Sequence, residues 1–110
     1  MAGSAVPPDL VTVKVGDLVP TEYSLGQNYP NPFNPATAVN YQIPMTKSQV
    51  HTTLKIYNIL GQEVATLLDG MQEPGYYTVT WDASEMASGV YFYRLTAGAF
   101  TATRNMVLMK

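Results

Sequence analysis

The stretch Ser88-Gly89-Val90-Tyr91-Phe92-Tyr93 opens the most apolar strand of the chain, Val90–Thr96. A glycine turn followed by β-branched and aromatic residues favours pleated, extended backbone. Similar segments lie on both sides of it. Tyr76–Trp81 puts Tyr77, Val79 and Trp81 on one face. Glu63–Leu68 follows a Gly61-Gln62 turn. Val50–Asn58 sets Val50, Thr52, Leu54 and Ile56 against His51, Thr53, Lys55 and Tyr57. Thr37–Ile43 alternates Val39, Tyr41 and Ile43 and stops at Pro44, which cannot donate to a ladder. Beyond the opening stretch, Gly98 turns the chain into Phe100–Met109, with Met106 and Leu108 facing inward. Gly70–Gly75, with Pro74, reads as a loop. Asp82–Gly89 reads as another, with one helical turn at Ser84–Ala87. Near the start, Val11, Val13 and Val15 alternate with Thr12 and Lys14 as a short first strand before the Gly16-Asp17 turn.

No longer stretch shows capped helical periodicity. About seven short strands at this spacing imply an all-β chain, an immunoglobulin-like antiparallel β-sandwich. Spacing alone also admits a small barrel. The opening stretch favours the sandwich because it reads as a tyrosine corner. There a tyrosine near the start of a late strand bonds backbone a few residues upstream. Tyr91 takes that position, and Tyr93 stands where antibody domains carry a cysteine. Trp81 lies too close in sequence for the strand-C tryptophan, so the topology need not be that of antibodies.

Ahead of the first well-patterned strand runs Gln27-Asn28-Tyr29-Pro30-Asn31-Pro32-Phe33-Asn34-Pro35. Three prolines fix φ and remove three N–H donors. The residues before them, Tyr29, Asn31 and Asn34, are pushed toward extended backbone. Asn31 and Asn34 can fold their amides onto local backbone. The segment reads as a stiff bracket opening the domain, with Tyr29 and Phe33 as pins. Residues 25–110 then form the domain. Residues 1–24 are a vector-derived remnant at Met1-Ala2-Gly3-Ser4, a linker and the possible first strand.

The 110 residues suit one domain with one core. Apolar content is 46%, and charged content is 13%, about half the usual ~25%. A net charge of −2 with no basic run gives nucleic acid nothing to hold. No apolar run approaches the ~20 residues of a membrane-spanning helix. With no cysteine, disulfide and thiolate chemistry are excluded.

Catalytic chemistry finds little support. His51, the only histidine, falls on the polar face of a strand among threonines. No serine–histidine–acid set is evident. The acids are scattered, mostly at turns. Asp82 and Glu85 share a loop, but calcium takes six to eight oxygens, so Asp82 reads as a turn cap. No catalytic, cofactor or metal residue is assigned. Tyr57, Tyr76 and Tyr91 would make a sugar-stacking platform if they shared an exposed face.

Taken together, three segments resemble the type A C-terminal sorting domain of the type IX secretion system. The first is Leu25–Pro35 with Thr37, Val39, Tyr41 and Ile43-Pro44. The second is Val50, Leu54, Ile56-Tyr57-Asn58 and Leu60-Gly61-Gln62-Glu63-Val64. The third runs from Trp81-Asp82 through Ser88–Leu95 to Met106 and Lys110. The resemblance implies an address for an upstream cargo. Its partners would be the type IX translocon and a sortase-like peptidase that removes the domain or anchors the cargo. Its destination would be the cell surface or the medium, by way of the periplasm and outer membrane. By the same resemblance Gly89, Tyr91, Arg94, Met106 and Lys110 form the sorting signal, and Asn28–Pro35 is the domain-opening motif. Family members often carry lysine just before the methionine. Here Asn105 fills that slot, and Arg104 sits one residue earlier. The terminal strand is expected to offer its edge to a receptor by β-augmentation. The strand pattern also resembles the immunoglobulin-like domain of flagellar hook-capping proteins. A structural module of that kind and a carbohydrate-binding module stand as alternatives.

Overall fold

The computed structural model describes residues 21–45 and 48–110. Seven strands run in chain order: β1 Ser24–Leu25, β2 Ala36–Ile43, β3 Val50–Tyr57, β4 Glu63–Gln72, β5 Gly75–Asp82, β6 Gly89–Ala97 and β7 Phe100–Leu108. The Val11–Val15 expectation lies outside the described residues. β1-β2-β5 form one antiparallel sheet, and β4-β3-β6-β7 form the other. The chain changes sheet between β2 and β3, between β4 and β5, and between β5 and β6, which is Greek-key connectivity. Trp81 therefore sits on the fifth strand, away from the position used in antibodies.

Alternation drives this result. Along β2, Val39, Tyr41 and Ile43 are buried; along β3, Val50, Thr52, Leu54 and Ile56 are buried. A one-residue slip would turn each of these sets to water, so the burial fixes the register. Tyr91, Tyr93 and Leu95 of β6 and Met106 and Leu108 of β7 fill the space between the sheets. Trp81 packs edge-on against Tyr91, with ring centroids 5.5 Å apart, and tilts against Phe33 at 5.9 Å. The tyrosine corner forms as expected: Tyr91 Oη donates to the Ala87 carbonyl at 2.7 Å.

Two local expectations change. β4 does not stop at Leu68 but continues to Gln72, so the loop expected at Gly70–Gly75 shrinks to a tight turn. Asp69 to Gln72 pair with Thr53 to Val50. An edge strand needs only backbone pairing, and β3 already supplies that ladder. The register of β4 shifts twice against β3, at Leu54/Lys55 and Ile56/Tyr57. These bulges blur the period-two pattern of β4 and hide its length in the sequence. The helical turn expected at Ser84–Ala87 is a single hydrogen-bonded turn, Met86 N–H to Ala83 C=O at 2.9 Å.

The registers also define two ends. Tyr23, Ile43, Val50, Gln72–Gly75 and Gly98 lie at the base: Tyr23 stacks on Phe100 at 4.8 Å, and Tyr41 Oη donates to Gln72 at 2.7 Å. The far end holds Phe33–Ala36, the Asn58–Gln62 turn, Asp82–Gly89 and Met109-Lys110. The chain enters at the base, runs along the side of the sandwich, and turns at the far end through the proline bracket. The bracket and Met109-Lys110 therefore share one end.

Candidate functional site

The bracket is a clasp on β7. Phe33, almost fully buried, donates its N–H to Val107 C=O at 2.9 Å, and its C=O accepts from Met109 N–H at 3.0 Å. Asn31 Oδ1 accepts the Val107 N–H at 3.0 Å, so this amide reaches across the fold rather than onto local backbone. Gln27 Nε2 donates to Asn105 C=O at 2.8 Å. Among the outward-facing backbone groups of β7, the Asn105 C=O, both groups of Val107 and the Met109 N–H thus have partners within the chain. The clasp covers this half of the edge, so the expectation that the terminal strand offers an open edge for β-augmentation narrows to the Phe100–Arg104 half. Pro30, Pro32 and Pro35 shape the clasp, and Asn34 is exposed. Tyr29 bridges Ala38 through its backbone, but its side chain is 80% exposed. It is no pin.

Behind the clasp lies a buried polar cluster. Tyr93, with no exposed surface, donates its hydroxyl to Gly26 C=O at 2.7 Å and accepts the Asn28 N–H at 2.9 Å. Asn28 Nδ2 donates to Thr37 Oγ1 at 3.0 Å and to Pro30 C=O at 3.1 Å, and Thr37 Oγ1 donates to Pro30 C=O at 2.9 Å. Every member has a partner, which lets buried polar groups specify a core rather than weaken it. Burial raises the Tyr93 pKa, and the Asn28 N–H and the Arg104 charge oppose that rise. Arg104 Nε donates to Leu25 C=O at 2.6 Å and so bridges from β7 to β1. That bond straps the two sheets together. The polar cluster escaped sequence reading. Its one sequence signal is a tyrosine in the buried register of β6, where antibody domains place an apolar disulfide.

The five residues that the resemblance assigned to the sorting signal do not share a surface. Tyr91 and Met106 are core residues. Gly89 begins β6 at φ 153°, in a region that L side chains rarely adopt. Lys110 is at the far end, where its N–H donates to Ser88 Oγ at 3.0 Å and its Nζ to Ser84 C=O at 2.5 Å. Arg94 points outward from the four-stranded sheet. It pairs with Thr103, seven residues before Lys110, a separation of roughly 20 Å along the strand.

Arg94 stands in the one part of this set that is shaped like a binding site. Its guanidinium lies 5.2 Å from the Tyr57 ring centroid, within cation–π range. Tyr57, Asn58, Ile59, Gly61, Phe92 and Thr103 complete a surface hollow of about 350 Å³ around it. The hollow follows from register, since Tyr57 pairs with Phe92 and Arg94 with Thr103 on the outer face. Its rim is rigid: Asn58 Oδ1 accepts from Leu60 N–H at 2.9 Å and Gln62 N–H at 3.0 Å, and Gly61 takes φ 81°. This turn holds Ile59 at 70% and Leu60 at 77% exposure. Sequence reading missed Ile59 and Phe92, although two large aliphatics in a turn are a visible oddity.

Elsewhere the surface is chemically quiet. His51 Nε2 lies 2.7 Å from Asp69 Oδ1 in an exposed pair. Asp82 Oδ1 accepts the Ser84 N–H at 3.0 Å, the cap foreseen in the sequence; the Ser84 hydroxyl first, then its N–H, and the Lys110 charge lower the Asp82 pKa. Among the described residues no three histidines or acids cluster as metal ligands, and no helix is long and apolar enough to cross a membrane. Tyr91 is buried, Tyr57 lies under Arg94, and Tyr76 lies on the opposite sheet, so the three-tyrosine sugar platform does not form.

The described residues thus form a Greek-key sandwich whose last strand is latched by the bracket and whose outer face carries an exposed aromatic–cation hollow. A family model described as a secretion system C-terminal sorting domain matches residues 27–109, and the chain belongs to that family. It is a C-terminal sorting signal for type IX secretion. The hook-capping and carbohydrate-binding alternatives gain no support from the match. A search of the curated proteins found no match.

Proposed function

We propose that the folded sandwich, rather than a linear peptide, is what the type IX machinery reads, and that it does so at the far end and on the outer face near Arg94. Cargo preceding Thr21 would leave from the base, so the far end is free to meet a translocon. One observation carries this reading: Arg94 is the signal residue that projects into a formed hollow, while Tyr91 and Met106 are spent in the core. Residues 25–110 are then the whole address, non-catalytic, with Tyr23 and Ser24 packed against it. A sortase-like peptidase removes the address after passage and releases or anchors the cargo at the surface. Its scissile bond falls before Tyr23, because the backbone from Ser24 to Tyr29 is tied into β1 and the clasp.

The test is a fusion behind a periplasmic reporter in a competent host. The reporter is expected at the surface or in the medium, with a mass that lacks residues 23–110. Removing Phe100–Lys110 is expected to stop export. Periplasmic retention of the intact fusion, or export without that strand, would contradict the proposal.

A further inference from the structure

We propose that the Arg94 hollow binds an acidic, extended peptide segment of a partner protein, with a carboxylate on Arg94 and a neighbouring apolar side chain against Ile59 and Phe92. The proposal rests on the sorting reading only for who the partner is; the binding chemistry stands on the geometry.

Arg94 is short of partners. Its one side-chain hydrogen bond among the described residues, to Thr103 Oγ1, is long at 3.4 Å. A guanidinium carries five N–H donors in a planar fork that matches a carboxylate. Among the described residues, the ion pairs within 4.0 Å are His51–Asp69 and Lys55–Glu63, and neither includes Arg94. Lys55, which pairs with Arg94 across the strands, is already matched by Glu63. Among the described residues no carboxylate lies within 4.0 Å of Arg94, so its fork is open and its own charge selects an anion.

The apolar half is equally specific. Tyr57 sits beneath the guanidinium and steers its fork without neutralising it. Ile59 lines the hollow, and Leu60 stands beside it in a turn locked by Asn58. Holding two large aliphatics at such exposure on a rigid turn wastes apolar surface unless something covers them. Low ordering cost on the domain's side favours binding. A free anion would leave Ile59 and Leu60 uncovered, whereas a peptide with alternating acidic and apolar residues satisfies both halves.

Backbone amide NMR on the 110-residue chain tests this with two probes, Ac-Phe-Glu-Leu-Glu-NH2 and its glutamine counterpart Ac-Phe-Gln-Leu-Gln-NH2. The acidic peptide is expected to shift Tyr57, Ile59, Phe92 and Thr103, and the glutamine peptide to bind about tenfold more weakly. Arg94→Gln should erase the difference between probes while resonances away from the hollow stay in place. Arg94→Lys should keep part of it. Equal binding of both probes, shifts confined elsewhere, or no shifts at millimolar peptide would overturn the proposal. So would shifts of these residues by phosphatidylglycerol vesicles without any by the peptide. A wild-type fusion that is retained in the periplasm while the acidic peptide still binds would overturn the sorting reading and leave the hollow standing.

Discussion

The two faces of β6 separate what the Ser88–Leu95 run builds from what it shows. Tyr91, Tyr93 and Leu95 face inward and are buried, while Val90, Phe92 and Arg94 face the solvent. The inward side chains hold the tyrosine corner and the polar cluster behind the bracket. The outward ones, with Tyr57 and the Asn58–Gln62 turn, make the hollow. A run that reads as one motif is thus two motifs interleaved at period two. On the proposed reading, a substitution in it abolishes export either by loosening the fold or by blanking the surface. Stability and export must therefore be measured together.

Inward positions should show the largest losses of stability. Met106→Ala empties a fully buried site and is expected to cost about 2–5 kcal/mol, measured by urea unfolding. Tyr93→Phe strands Gly26 C=O and the Asn28 N–H and should cost about 1–3 kcal/mol. Its signature is faster amide exchange at Asn28 than at residues of β3, and unchanged exchange there would break the assignment. Tyr91→Phe loses one bond, to Ala87, and should cost about 0.5–1.5 kcal/mol.

Alkaline pH offers a milder probe of the interior. Burial, with Tyr77 adding to it, pushes the Tyr41 pKa up to about 12 from its ordinary 10.0, and burial raises Tyr93 too. A raised folded pKa means the native state holds the proton longer than the unfolded chain. Its contribution is whole below pH 10 and is lost as pH climbs toward 12. Thermal melts between pH 9 and 12 should fall, and Tyr41→Phe should flatten that fall. The smallest effect on stability belongs to the outward face: Arg94→Gln should change it by less than about 1 kcal/mol, the worth of an exposed cation–π contact.

Much of the fold was legible because burial is written in alternation. β2, β3, β5 and β6 announced themselves within a residue or so, and Tyr91 named its own corner. β4 was shortened because its bulges disrupt the period and Gly70, close to Pro74 and Gly75, reads as the start of a loop. The bracket was recognised as stiff, but its purpose was not. Its key bonds, Asn31 to Val107 and Phe33 to Val107 and Met109, join residues over seventy positions apart, and nothing in local pattern encodes such a reach. Tyr29 and Phe33 looked alike in sequence, yet only the bridge to Leu108 decides which one is buried. For the site, resemblance supplied Gly89, Tyr91, Arg94, Met106 and Lys110 as one group. Only the sheet register divides them into core, conformation and surface.

That division is tested most directly by Arg94→Gln in the reporter fusion, with surface delivery and urea unfolding measured on the same variant. The account predicts an unfolding midpoint close to wild type together with lost or sharply reduced delivery. Delivery at the wild-type level by a folded Arg94→Gln domain would contradict it.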